Sequence, residues 1–452
     1  MMRYTALIVA LVLVACDNPP TETGNVEPSL DLVLRQQLGT WGAMPIGDVP
    51  VQSPALVSLG QSLFFDRILS GNRDVSCATC HDVTATMGDG MSLAVGTGFT
   101  GSGLHRAPGA SRSFVPRNAP TLLNTGLGFF YSLWDGRINQ DFGTVGSFHA
   151  PAGIVLPAGL ANLIAAQAML PVLNRVEMRG AAGDVDVNGA ANELAQIADT
   201  EAPAIWRGVM VRVLAIQEYA AKFAAAYPAV PASSLGFQHA ANAIAAFQTH
   251  ALTRTNSPFD RYLHRDNDAL TDQEKRGALL FFGKARCVSC HSGPLLGGQT
   301  FANVGAPQIG PGMGRAAPLD VGRGEELPNM DFYKFAFRAP PLRNVELTAP
   351  YMHSGAYKTL EAVLLHYTNP DSAQRHYDVS QLDPALRPLH HGDAATIDAV
   401  NNTLDFQVRL GIEMDATERA QIIAFLKSLT DPAAKDLGAI VPVSVPSGLP
   451  IK

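Results

Sequence analysis

Four cysteines and two histidines stand in two identical five-residue patterns, Cys77-Ala78-Thr79-Cys80-His81 and Cys287-Val288-Ser289-Cys290-His291. In this pattern two thiols can bond covalently to the vinyl groups of a haem. The histidine that follows is held where a ring nitrogen reaches the iron as proximal ligand. Other chemistries fit the spacing less well. A four-cysteine zinc site keeps its pairs within about 15 to 20 residues of each other, whereas these pairs lie far apart in the chain. Two disulfides would not call for a histidine after each pair. A thioredoxin-like site needs a βαβ context, which the sequence does not show. Two covalently bound haem c groups are therefore expected, with His81 and His291 as iron ligands.

The segments around the two patterns repeat. Leu63-Phe64-Phe65 precedes the first and Leu280-Phe281-Phe282 the second. Downstream, Arg117-Asn118-Ala119-Pro120-Thr121-Leu122-Leu123-Asn124 is echoed by Arg338-Ala339-Pro340-Pro341-Leu342-Arg343-Asn344. Each half thus reads as a helix, a haem motif, a long loop and an Arg/Pro/Leu/Asn turn, the mark of an internal duplication. The elements between are helical by period and by caps. Thr271 to Glu274 and Asp415 to Glu418 fit capping boxes, the second opening a helix over 416–429. Apolar residues at helical spacing predict helices over 205–226 and 237–252. The Gly/Pro-rich stretches 88–120 and 293–328 read as long loops, which at that length are usually functional. The expected fold is mainly α: two cytochrome c-like haem domains related by duplication, with long loops.

The fifth cysteine, Cys16, ends a different signal. Residues 1–16 carry one positive charge, Arg3, and a ten-residue apolar run from Ala6 to Ala15. That run is too short to span a bilayer. It fits an export signal, and Leu13-Val14-Ala15-Cys16 resembles the lipobox at which bacterial lipoproteins are cleaved and lipidated. The chain is accordingly divided into a signal peptide (1–15), a flexible tether (16–47), an N-terminal haem domain (48–255), a C-terminal haem domain (256–430) and a tail (431–452). The expected location is the periplasm or cell envelope, on a lipid anchor. With 33 Lys+Arg against 40 Asp+Glu the 452-residue chain carries −7 overall and has no basic cluster, which excludes the electrostatic footprint of a nucleic-acid binder. Its 47% hydrophobic content excludes disorder as the main state.

Taken together these residues resemble the bacterial dihaem cytochrome c peroxidase and MauG family, from about Leu56 to Leu429. The resemblance rests on the haem motifs and on Leu63-Phe64-Phe65-Asp66, Leu69-Ser70-Gly71-Asn72, Trp134-Asp135-Gly136-Arg137, Val176-Glu177-Met178 and Pro341 to His353. It implies that hydrogen peroxide reacts at the His81 haem and that the His291 haem relays electrons from a small redox protein, a cytochrome c or a cupredoxin. It further implies that Glu177 moves the proton in O–O cleavage, that Trp134 lies between the haems, and that Asn118, Thr348 and Pro350 hold a calcium ion. Family members are often homodimers.

Three positions depart from the peroxidase pattern. Where the peroxidases bind the second iron through a Met, the register lands on Tyr367, as in MauG, with His366 and Met414 as rivals. A phenolate there lowers the reduction potential. Where peroxidases that need reductive activation carry a distal His, the register gives Thr97, with His105 in the same loop; the first haem is expected to be open or water-ligated. Where MauG has a surface Trp six residues before the second haem His stands Ala285. The leading expectation is a peroxidase. A MauG-like oxidase of a protein side chain and a non-catalytic dihaem electron carrier are the alternatives.

Overall fold

The computed structural model describes residues 28–141, 143–144 and 146–451. The signal peptide and Cys16 lie outside the described residues. Helices dominate, and the seven strands among the described residues are two or three residues long and pair in small antiparallel ribbons.

The duplication is visible in the packing. In the first half the Pro54–Phe65 helix crosses the Phe237–Ala251 helix; in the second the Asp272–Phe282 helix crosses the Ala416–Ser428 helix. Each crossing needs a bare backbone. A Cβ on Gly60 would sit 1.9 Å from the Ala243 carbonyl oxygen, and one on Gly277 1.9 Å from that of Gln421. Four residues on, Phe64 packs on Phe247 at 5.4 Å between ring centroids and Phe281 on Phe425 at 5.2 Å. The Asn124 and Asn344 turns also match. Both residues are left-handed, and the side-chain oxygens accept from the backbone N–H of Arg254 and Asp431. Both capping boxes form as expected, at Thr271 and Asp415.

The helix expected over 205–226 is broken into Ala202–Leu214 and Gln217–Ala226. The break at Ile216 turns Tyr219 and Phe223 into the first core, where the Tyr219 hydroxyl donates to Asp66 at 2.8 Å. The long loops hold short ribbons and 3-10 turns. Loop residues of both halves, among them Leu93, Phe114, Ile309 and Tyr357, meet in a third apolar cluster at the junction.

Both terminal segments differ from the expectation of free chain. Within the stretch read as a tether, Leu30–Thr40 is a helix, capped by Ser29, whose Leu34 and Leu38 enter the second core. Lys275 pairs with its Asp31 at 3.0 Å. The stretch read as a tail crosses to the opposite half. Ala434, Leu437 and Val445 are buried in the first core, and the Ser447 hydroxyl donates to Asp66 at 2.6 Å. Scattered apolar residues between polar ones hid these contacts, because neither segment has a strong period of its own. The first half is thus closed by the last residues of the chain. Deleting residues 432–452 is expected to remove about 3–6 kcal/mol of stability, from lost apolar burial. Urea unfolding of the haem-loaded protein checks this; an unchanged midpoint would show that the segment merely lies on the surface.

Candidate active site

The first haem motif forms a single helical turn, Cys77–Cys80, whose start is tied by the Ser76 N–H donating to the Thr79 hydroxyl at 2.9 Å. This turn forms one wall of a cavity of about 720 Å³ that reaches into the junction between the halves. Cys77, Cys80 and His81 line it. Neither cysteine is in a disulfide, both are half-buried, and burial pushes both thiols up to about 12. His81 Nδ1 lies 2.9 Å from the Met87 carbonyl oxygen, which it meets as a donor, so Nε2 is the nitrogen left for a ligand. The second motif repeats this. His291 Nδ1 faces the carbonyl oxygens of Leu296 at 3.2 Å and Pro340 at 3.1 Å, and burial lifts the Cys287 thiol to about 12. At each motif two cysteines stand beside a histidine whose far nitrogen is left for a ligand, and at the first motif they face a cavity of haem size, an arrangement that fits covalently attached haem. Among the described residues no cluster of three or more His, Cys, Asp or Glu side chains could hold a metal ion.

Glu177 lines the same cavity. It lies on a single π-helical turn, Arg175–Arg179, capped by Asn174. The Asn174 side-chain oxygen accepts from the Val176 and Glu177 N–H groups, while its amide nitrogen donates to Glu177 Oε1 at 2.9 Å. Neighbouring loops clamp the turn. The Thr97 N–H donates to the Glu177 carbonyl at 2.9 Å, and a Cβ on Gly96 would lie 2.1 Å from the Val176 carbonyl oxygen. On the other side the Gly71 N–H donates to the Met178 carbonyl at 2.7 Å, and the Asn192 amide to that of Arg179. Desolvation raises the Glu177 carboxyl above the ordinary range, opposed by the Arg137 charge and the Asn174 hydrogen bond.

Trp134 also lines the cavity, half-buried, with its indole N–H donating to the Asn118 carbonyl at 2.9 Å. Around it lies the buried junction network. Arg117 donates to Asp135 at 2.5 Å and, from Nε and Nη2, to both oxygens of Asp320 in the other half. Arg137 shares Asp135 at 2.7 Å. Asn118, Thr348 and Pro350 line the cavity together. The Asn118 amide nitrogen donates to the Met91 carbonyl at 2.7 Å, leaving Oδ1 free for a cation.

The alternative ligand positions lie in different surroundings. Thr97 is buried and donates its hydroxyl to Asp74 at 2.7 Å, while His105 is exposed; neither lines the cavity. The Gly96-Thr97-Gly98 register serves instead as a shelf for the Glu177 turn. At the second motif, both His366 ring nitrogens are engaged, Nδ1 with the Tyr357 hydroxyl at 2.9 Å and Nε2 with the Val304 carbonyl at 2.7 Å. Met414 is packed in the second core. Burial raises the Tyr367 phenol above its ordinary value, and the Cys290 and Cys287 sulfurs are near enough to act on it in the same direction. Ala285 is buried. Asn174 and Arg137 were missed as site residues, although Asn174 stands three positions before Glu177, the spacing of a capping box.

A model of the di-haem cytochrome c peroxidase family matches residues 54–268. The cytochrome c551 peroxidase of Pseudomonas aeruginosa is 31% identical over 297 residues, covering 66% of this chain and 67% of that protein. The chain belongs to the di-haem cytochrome c peroxidase family. Methylamine utilization protein MauG of Methylorubrum extorquens is 28% identical over 427 residues, 94% of this chain and 92% of that one. Among solved structures, a MauG-like protein associated with microbial copper homeostasis superposes with a TM-score of 0.58 at 25% identity, over 89% of this chain and 97% of that one. The family carries two haems, and the residues here fit one at each motif. Replacing Cys77 and Cys80 together by Ser is expected to reduce the haem released in a pyridine haemochrome assay from two equivalents to one, with the Cys287/Cys290 haem retained. Two equivalents in that variant would contradict attachment at the first motif.

Proposed function

We propose that this peroxidase-family oxidoreductase reduces hydrogen peroxide to water in the Glu177 cavity, with electrons supplied through the His291 site by a small redox protein such as a cytochrome c or a cupredoxin. The observation that carries this reading is a desolvated carboxylate, fixed by its own cap, in the cavity that contains the proximal histidine. The haem supplies an iron that binds peroxide and passes electrons to it. Glu177 takes the proton from the near oxygen and delivers it to the leaving oxygen, so that water departs rather than hydroxide. The Arg137 charge favours the ionised carboxylate against its desolvation, and Asn174 aims it. His81 is held by Met87 in the tautomer that leaves Nε2 for the iron. Trp134, hydrogen-bonded to the junction loop, supplies the aromatic step by which electrons cross between the halves.

Tyr367 is assigned as the sixth ligand of the second haem, supported by its proximity to both cysteines and by the engagement of His366. The free Asn118 oxygen and the carbonyls of Thr348 and Pro350 offer hard donors for a calcium ion that would brace the junction. Cys16 is read as the lipidated N-terminus of an exported, envelope-bound protein. Among the described residues no helix is long and apolar enough to cross a membrane. The peroxidase reading is preferred over MauG-like oxidation through the second haem because Ala285 offers no oxidisable side chain at that exit.

Glu177→Gln is expected to lower kcat for peroxide with reduced cytochrome c by about 10²–10⁴-fold while both haems stay bound; full activity would remove Glu177 from the mechanism. Because the ionised form accepts the proton and its pKa is raised, activity falls as pH drops through a value above the ordinary 4.5. Arg137→Met removes a charge that lowers that pKa, so the acid limb of the pH–rate profile should move to still higher pH. A limb that stays in place or moves down contradicts the assignment.

A further inference from the structure

A file of aromatic rings separate from Trp134 runs from the cavity to the surface. Tyr131 lines the cavity. Its ring meets Phe301 edge-on at 5.0 Å, Phe301 meets Tyr333 at 6.4 Å, and Tyr333 lies 4.0 Å from Phe332. The Phe332 side of the file is open to solvent, that residue being 66% exposed. Three separate segments supply the rings: the strands Tyr131–Ser132 and Phe301–Ala302 and the turn Asp331–Tyr333. Two devices keep them in line. Arg323 lies over both the Tyr131 ring, at 5.2 Å, and the Phe301 ring, at 4.6 Å, anchored on the Asp135 and Gly136 carbonyls. Gly136, in the left-handed region, lets Phe301 approach, since a Cβ there would sit 2.4 Å from the ring.

We propose that Tyr131, Phe301 and Tyr333 conduct oxidising equivalents from the first haem site to the surface, where Tyr333 and Phe332 form a second oxidation site for neutral phenolic one-electron donors. This rests on the peroxidase reading. Only the two phenols are oxidisable under these conditions; Phe301 couples them without being oxidised itself. Tyr131, on the cavity wall, gives up one electron and releases its phenolic proton into the cavity, then recovers an electron from Tyr333 and a proton from the cavity. Tyr333 releases its phenolic proton to solvent and recovers an electron and a proton from the donor. The Arg323 charge opposes a cationic hole on either ring beneath it, so the oxidised states are neutral phenoxyl radicals. Two donor phenols are each oxidised by one electron, and one hydrogen peroxide takes the two electrons and two protons to become two waters, the protons entering at Glu177. The landing face is apolar, with Met330 47% exposed beside Phe332, and its charges cancel in an Asp331–Lys334 pair at 2.8 Å. That composition suits an uncharged aromatic reductant.

The test uses the holoprotein and hydrogen peroxide. With a nitrone spin trap and no other donor, peptide mass spectrometry is expected to find the adduct on Tyr333, and Tyr131→Phe should diminish it about tenfold. With guaiacol as donor, Tyr333→Phe should slow oxidation about tenfold, while peroxide turnover with reduced cytochrome c stays within about twofold. Normal peroxide consumption with no adduct at Tyr333, unchanged guaiacol rates in Tyr333→Phe, or equal losses with both donors overturns the route and leaves the peroxidase reading standing. A holoprotein that consumes no peroxide overturns both.

Discussion

The two halves are held in one geometry by a buried guanidinium. Arg117 belongs to the turn that follows the first haem motif, yet it binds Asp135 of its own half and Asp320 of the other. Burial works against its charge, but the two carboxylates outweigh that and hold it firmly protonated. They are held ionised in return: beside Arg117, with Arg137 also next to Asp135, both carboxyls lie below their usual range despite burial. Removing one member of such a group typically costs about 3–5 kcal/mol, because the others remain buried and unpaired. Nearly everything chemical hangs from this junction. Trp134 precedes Asp135 and hydrogen-bonds to Asn118, Arg137 stands two residues after it and acts on Glu177 through its charge, and Arg323 reaches across to the Asp135 carbonyl.

A cavity placed at such a junction must be walled by loops, since helices bring only one face each. The loops here are made rigid by backbone approach rather than by regular structure. Gly71 and Gly96 press against opposite sides of the Glu177 turn, at distances no side chain permits. The turn itself is π-helical, a geometry that recurs at functional sites because it widens the backbone and redirects one side chain. The terminal segments complete the enclosure. The helix near the N-terminus seals the second core and the final residues seal the first, so each half is finished by chain from the far end of the sequence.

The sequence made the repeated framework legible. Two Cys-x-x-Cys-His patterns, the Leu-Phe-Phe repeats that precede them and the matching Asn turns are local strings whose meaning does not depend on distant partners. The capping boxes at Thr271 and Asp415 were readable for the same reason. What stayed hidden depends on contacts remote in the chain. The burial of Leu34, Leu38, Leu437 and Val445 follows from surfaces contributed hundreds of residues away. The break at Ile216 answers to Asp66. The partners that engage both His366 imidazole nitrogens, Tyr357 and Val304, are ones no spacing rule reveals. Thr97 looked like a vacant ligand position and proved to be tied to Asp74, a partner upstream of the haem motif.

The central claim is that the His81 haem keeps an accessible face beneath Glu177 while the His291 haem is closed by Tyr367. Electron paramagnetic resonance of the resting, fully matured protein, joined to resonance Raman spectra, tests it most directly. The account predicts one high-spin ferric haem and one six-coordinate haem with an iron–phenolate vibration. Two low-spin haems, with no phenolate mode and no site open to a small ligand, would contradict it.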